Sequence, residues 1–139
     1  MKTASIGAFA IIEIQGRIIL VRHANGEKKW SLPGGGLEAG ETPIHAVFRE
    51  VWEETGMSDV AFRHIGTFFL RKSAGAVFLF HGREFCYEGK VGDYQEISDI
   101  TLVDPNNLPT DIYPAQKKLI ERWLNDDLGN RGAWPFDLL

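Results

Sequence analysis

The sequence has a single cysteine, Cys86, so no disulfide can form within the chain. It has no apolar run approaching 18 residues, so no segment reads as a membrane-spanning helix. Nor does it carry an excess of positive charge. The formal net charge is −4, which gives no electrostatic footprint for nucleic acid, and neither nucleic acid nor a membrane is expected as a partner. Internal repeats, linkers and low-complexity stretches are missing, and no Gly-x-Ser-x-Gly elbow supports a serine hydrolase. The four histidines, His23, His45, His64 and His81, show no paired metal-ligand spacing and read as surface or core side chains. What is present is ordinary: 139 residues, 44% apolar and 24% charged. That composition describes one folded domain over residues 1–139, soluble and cytoplasmic. A chain of this size buries roughly 68–70% of its unfolded surface and needs no disulfide to hold a core.

Met1-Lys2 followed by an apolar stretch resembles the start of a secretory signal, but Glu13 ends that stretch at once. Gln15-Gly16-Arg17 instead reads as a turn between two strands, Ile6 to Ile14 and Ile18 to Val21. His23 to Lys29 reads as a polar loop, and the glycines of Trp30-Ser31-Leu32-Pro33-Gly34-Gly35-Gly36 argue against any regular element there. A helix follows, with Thr42 as N-cap, Pro43 in the first turn and Gly56 as terminator. Val60 to Leu70, Ala76 to Phe80, Phe85 to Tyr87 and Ile97 to Val103 have strand composition, and Pro114 opens a second helix to about Asp127. Strands flanking one helix and preceding another give an α/β or α+β class around a mixed sheet.

The segment from Gly34 to Met57 carries the chemistry. Gly34-x-Gly36-x-x-Ala39 satisfies a loose dinucleotide fingerprint, yet no strand is expected directly before it. Gly35-x-x-x-x-Gly40 begins a P-loop, but Glu41 stands where the phosphate-binding lysine belongs and would repel the phosphates. On a helical wheel, Ile44, Val47, Phe48, Val51 and Thr55 form the stripe expected to face the core. Glu50, Glu53 and Glu54 share the neighbouring flank at i, i+3 and i+4, where like charges destabilise a helix. Water can screen such a cluster, and then it is an ordinary acidic face. A hard cation such as Mg²⁺, Mn²⁺ or Ca²⁺ can also sit among the oxygens. A Ca²⁺-binding structural helix fits poorly, because calcium takes 6–8 oxygens, usually spread over a loop.

The full string Gly35-x5-Glu41-x7-Arg49-Glu50-Val51-x-Glu53-Glu54-x-Gly56-Met57 resembles the signature of the Nudix hydrolases at every fixed position. At average composition such a match arises by chance on the order of once in ten million chains of this length. The resemblance implies the Nudix fold, an α/β/α sandwich with a mixed β-sheet. It implies hydrolysis of a pyrophosphate bond in a nucleoside diphosphate linked to another group, a small-molecule nucleotide substrate, with Mg²⁺ or Mn²⁺. By similarity, Glu53 and Glu54 are the main metal ligands, and Glu50 is a further ligand or a water-orienting group. Arg49 would orient these carboxylates or Glu41 through salt bridges. Three carboxylates alone repel a pyrophosphate, whereas bound divalent cations invert that charge logic.

Several residues outside the string extend the resemblance. Gly35 and Gly36 either touch the substrate or only shape a turn. Arg22 stands where some relatives place a phosphate-contacting arginine, and a plain surface arginine is the alternative. Glu84, Glu88, Glu96, Asp93 and Asp99 are candidates for a general base, with Glu96 placed where such a base lies in several relatives. Trp30 and Phe9 offer stacking surfaces or core packing, and Cys86 reads as an inert buried thiol. The subfamily marks of ADP-ribose and dinucleoside-polyphosphate hydrolases are not found, and Trp134-Pro135-Phe136 matches only part of an NADH-pyrophosphatase motif. The signature therefore names the bond broken more than the group attached. Against the enzyme stands a second class, a non-catalytic domain that senses a nucleotide, but none of the box glutamates is lost. Dimers are common in the family, so a homodimer is left open by analogy.

Overall fold

The structure is a computed structural model describing residues 5–71, 73–87, 97–126 and 136–138. The strands are β1 (Ile6–Ile14), β2 (Arg17–His23), β3 (Trp30–Ser31), β4 (Gly34–Gly36), β5 (Met57–Ser58), β6 (Phe62–Phe69), β7 (Ala76–Gly82), β8 (Cys86–Tyr87), β9 (Ile97–Val103) and β10 (Phe136–Leu138). The helices are α1 (Pro43–Thr55) and α2 (Pro114–Asp126). The backbone of β10 lies parallel to β6, which is antiparallel to β7, and β7 runs parallel to β1. This is the mixed sheet with two helices that the sequence implies. Glu96 and the Trp134-Pro135 pair lie outside the described residues, as do Glu88 and Asp93.

The β1–β2 hairpin positions everything else. Gln15 and Gly16 both have positive φ, 51° and 78°, the conformation that matches a two-residue turn to the right-handed twist of the strands. The two strands pair only next to the turn, at Glu13–Ile18 and Ile14–Arg17, and then diverge. Residues 30–36 fill the resulting V. Its first part, β3, pairs with β2 at Val21–Ser31 and Arg22–Trp30. Its last part, β4, pairs with β1 at Gly7–Gly36, Ala8–Gly35 and Phe9–Gly34, and between them Ala10 N–H donates to Pro33 O at 2.9 Å. This corrects the expectation that the glycines forbid regular structure. They form a short strand against β1, and at Gly34 and Gly35 the neighbours leave no space for a Cβ.

Side chains of β1 alternate between two cores, as a strand buried on both faces requires. Ile11 packs with Ile65, Phe68 and Leu79 beneath Leu119 and Ile120 of α2. Ala8, Ala10 and Ile12 pack with Phe80 beneath Val47 and Val51 of α1. The helices thus lie on opposite faces of the sheet. Helix α1 is capped as expected. Thr42 Oγ1 accepts from His45 N, Pro43 occupies the first turn, and Gly56 ends the helix in the left-handed region at φ 77°. Two expectations are corrected. Phe48 is 40% exposed and meets the Phe62 ring, at 5.0 Å between centroids, instead of being buried in the core. Cys86 is exposed on β8, a two-residue strand that pairs with β5.

Candidate active site

Helix α1 crosses the glycine strand β4, and their contact gathers most of the expected residues. Glu54 is 1% exposed, although the wheel places it on the acidic flank. One of its oxygens accepts from Gly34 N–H at 2.7 Å, and the other lies 3.8 Å from His23 Nε2. A carboxylate is buried only at the cost of its hydration, so charge-assisted hydrogen bonds must replace the lost water. Gly35 lies against Glu50: a Cβ there would stand 2.8 Å from Glu50 Oε1 and 2.9 Å from its Cδ. Gly34 is packed closer still, with φ at +147° and Ala8 O only 2.2 Å from where a Cβ would be. These two glycines are fixed by close approach. Gly36 is not, since its nearest neighbour would be Ile6 O at 3.9 Å.

Arg49 organises the acids. Its Nε and Nη2 donate to the two oxygens of Glu41 at 2.7 and 2.9 Å, a bidentate pair. Its Nη1 donates to Glu50 at 2.9 Å and Glu53 at 3.3 Å, and Nη2 also reaches Gly36 O at 3.2 Å. The hydrogen bond from Arg49, helped by the Glu38 N–H, holds the Glu41 carboxyl at a pKa of about 2. Reciprocally, the bond to Glu41 first, and then that to Glu50, raises the pKa of Arg49 further. The guanidinium is the local cation that lets Glu50 and Glu53 share one turn of helix. Among the described residues, no three His, Cys, Asp or Glu side chains already converge on one point.

The oxygen-only donor set of Glu50, Glu53 and Glu54 still has the chemistry for a hard divalent cation. Glu50 and Glu53 already meet at one positive group, Arg49 Nη1. The residues present therefore fit such an ion.

The remaining candidates separate. Arg22 points to the α2 face, where its guanidinium lies 4.3 Å above the Trp30 ring and pairs with Asp111. Sequence reasoning missed Asp111, since the two are joined only by the fold. Trp30 is 8% exposed and core-packed. Phe9 packs against the same core, partly buried. Asp99 lies opposite Arg22 on β9 and accepts from Ile100 N–H. Glu84 lines a separate cavity of about 390 Å³ with Arg63, His81 and Arg83.

The family described as NUDIX domain matches residues 1–123. A Bacillus subtilis protein provisionally named as an 8-oxo-dGTP diphosphatase is 30% identical over 119 residues, which are 86% of this chain and 79% of that one. Other curated relatives are matched over 30% to 58% of their own length. Among solved structures, an ADP-ribose pyrophosphatase from Streptococcus suis is similar with a TM-score of 0.75 and 20% identity, over 99% of this chain and 100% of that one. A bifunctional NMN adenylyltransferase/ADP ribose pyrophosphatase from Francisella tularensis, complexed with AMP and a manganese ion, is similar with a TM-score of 0.70 and 19% identity. That likeness covers 91% of this chain and 42% of that one.

Proposed function

The chain belongs to the NUDIX family as a pyrophosphohydrolase, and from that premise we propose that it hydrolyses a pyrophosphate bond in a nucleoside di- or triphosphate derivative, using Mg²⁺ or Mn²⁺. The observation that carries this reading is the α1–β4 contact. There the buried Glu54 is bonded to Gly34 N–H, and Gly35 leaves no room for a side chain beside Glu50. A surface acidic face needs neither feature. The manganese ion and AMP of the Francisella tularensis protein support the same cofactor and substrate classes.

In this reading Glu50, Glu53 and Glu54 hold the cation, and the whole of residues 1–139 acts as one catalytic domain. When bound, the ion supplies positive charge to the phosphate oxygens and acidifies the attacking water. Arg49 orients Glu50 and Glu53, with Glu41 fixing the guanidinium through a bidentate pair. Gly35 and Gly36 form the floor against which the phosphates lie. Arg22, stacked over Trp30 and paired with Asp111 on the α2 face, is the outlying member of the proposed phosphate-binding set. Glu96 remains the proposed general base. Its removal by Glu96→Gln is expected to lower kcat by about 10²–10⁴ while leaving metal affinity largely intact.

The test is release of phosphate or pyrophosphate from a panel of nucleoside triphosphates, oxidised nucleotides, sugar nucleotides, ADP-ribose and dinucleoside polyphosphates. Each is run with Mg²⁺, with Mn²⁺ and with chelator. Glu54→Gln is the control, because the amide keeps an acceptor for Gly34 N–H while it removes the charge and one of the two acceptor oxygens. Metal-dependent turnover lost in the control is the expected outcome. Silence across the panel, from folded protein that still binds nucleotide, would overturn the hydrolase in favour of a sensor.

A further inference from the structure

The glycine strand lies close against the acids, since a Cβ at Gly35 would stand only 2.8 Å from Glu50 Oε1. From the α1 face, Glu54 fixes it through Gly34 N–H. The opposite face holds it by a different device. The ladder between β2 and the 30–36 segment ends at Val21–Ser31, so the N–H of Leu32 lies just beyond the last rung. Leu32 is fully buried, and its N–H donates to the side-chain oxygen Oε1 of Gln116 in the first turn of α2, at 3.2 Å. A buried amide N–H needs an acceptor, and here a helix side chain replaces a strand rung.

Gln116 does not act alone on this segment. Trp30 N–H donates to Asp111 O at 2.8 Å, and Tyr113 N–H donates back to Trp30 O at 3.0 Å. The approach to α2 therefore grips Trp30 by its backbone, and α2 itself grips Leu32. Two residues further on, the same run is gripped by α1. The two helices hold one short strand from opposite faces of the sheet.

We infer that Gln116 is a positioning residue for the reaction. Its side-chain oxygen fixes Leu32, and through Pro33 it sets where Gly34 and Gly35 lie against Glu54 and Glu50. The inference rests on the proposed role of those carboxylates. It makes α2, which contributes no acid to the cluster, part of what sets the geometry of the cluster.

The test compares Gln116→Met, which keeps side-chain length and loses the acceptor, with Gln116→Glu, which keeps an acceptor. Glutamate in the first turn of a helix is also favoured by the helix dipole. Amide hydrogen exchange at Leu32 and Gly34 is measured together with kcat and KM. For Gln116→Met, exchange at both amides is expected to accelerate at least about tenfold, and kcat to fall about tenfold with KM changed less than about twofold. Gln116→Glu is expected to restore both. Retained Gly34 protection and kcat in the methionine variant would overturn the inference, as would a loss that the glutamate variant fails to rescue. Wild-type protein that turns over no pyrophosphate would remove the proposed function instead, while exchange at Gly34 would still decide whether Gln116 positions the strand.

Discussion

A series of alanines through the glycine strand tests the site most directly, with Gly35→Ala as its centre. At Gly35 the backbone conformation is open to any residue, so the effect of a methyl is purely one of contact. The new Cβ would meet Glu50 Oε1 at 2.8 Å and Oε2 at 3.2 Å, while ordinary van der Waals contact begins near 3.4 Å. The carboxylate must retreat by roughly 0.6 Å to restore ordinary contact. It cannot do so freely, because Oε1 also accepts from Arg49 Nη1 at 2.9 Å. A displacement approaching 1 Å at a reacting group costs up to about 10²-fold in rate, so kcat should fall about 10- to 100-fold, or about 1.4–2.7 kcal/mol of transition-state stabilisation. Stability should hardly change, since Gly→Ala also restricts the unfolded chain by about 0.4–1 kcal/mol.

The neighbouring positions set the scale. Gly34→Ala meets backbone at 2.2 Å in a conformation that L-residues avoid, and should destabilise the fold by several kcal/mol. Gly36→Ala meets only Ile6 O at 3.9 Å and should leave the stability of the fold unchanged. Metal-dependent turnover and thermal unfolding of the three variants separate these effects. A Gly35→Ala enzyme within twofold of wild type, or a Gly36→Ala protein as destabilised as Gly34→Ala, would refute the reasoning.

Other consequences can be checked with the same preparations. Arg49→Lys keeps the charge but cannot bind Glu41 bidentately while reaching Glu50 and Glu53, so kcat should drop about 10²-fold; an unimpaired lysine enzyme would show that charge alone suffices. The Glu41 carboxyl is held near pKa 2, below its ordinary 4.5, so its ionised form is favoured by folding. Its contribution should be complete above pH 4.5 and disappear as the pH falls toward 2. Urea midpoints of wild type and Glu41→Gln should therefore differ at neutral pH and converge in acid, and a constant gap would contradict the assignment. Phe68 is fully buried under α2, and Phe68→Ala should cost about 3–5 kcal/mol in urea unfolding, with a loss below about 1 kcal/mol showing that this core is not close-packed.

The part of this site that was legible in the sequence is the part carried by short-range spacing. Thr42, Pro43 and Gly56 delimit α1 through local hydrogen bonds, and Glu50, Glu53 and Glu54 share a flank because a helix places i, i+3 and i+4 together. What a wheel cannot show is which flank another element covers. It put Phe48 in the core and Glu54 on the acidic flank. The fold buries Glu54 on that flank, because β4 lies over it, and exposes Phe48 beside Phe62. The strand character of Gly34–Gly36 was hidden for a related reason. Glycine has poor intrinsic strand preference, and it is the close approach of β1 to Gly34 and of Glu50 to Gly35 that rewards the absence of side chains there. The contacts Arg22–Asp111 and Leu32–Gln116 join positions with no sequence pattern between them.

The diverging hairpin also says something about how the molecule assembles. Its turn closes over two residues, a step that needs only neighbouring chain and belongs to the microsecond range. The V that it opens is empty until the 30–36 segment arrives, and the other edge of β1 waits for β7, whose pairing runs from Ile6–Ala76 to Ile12–Gly82. During synthesis, the glycine strand and α1 therefore emerge well before the strand that completes the sheet beneath them. Closing so long a loop is the entropic toll that slows non-local pairing. The acids of α1 are thus made early, while β1, on which β4 rests, lacks its partner along the other edge until β7 is made.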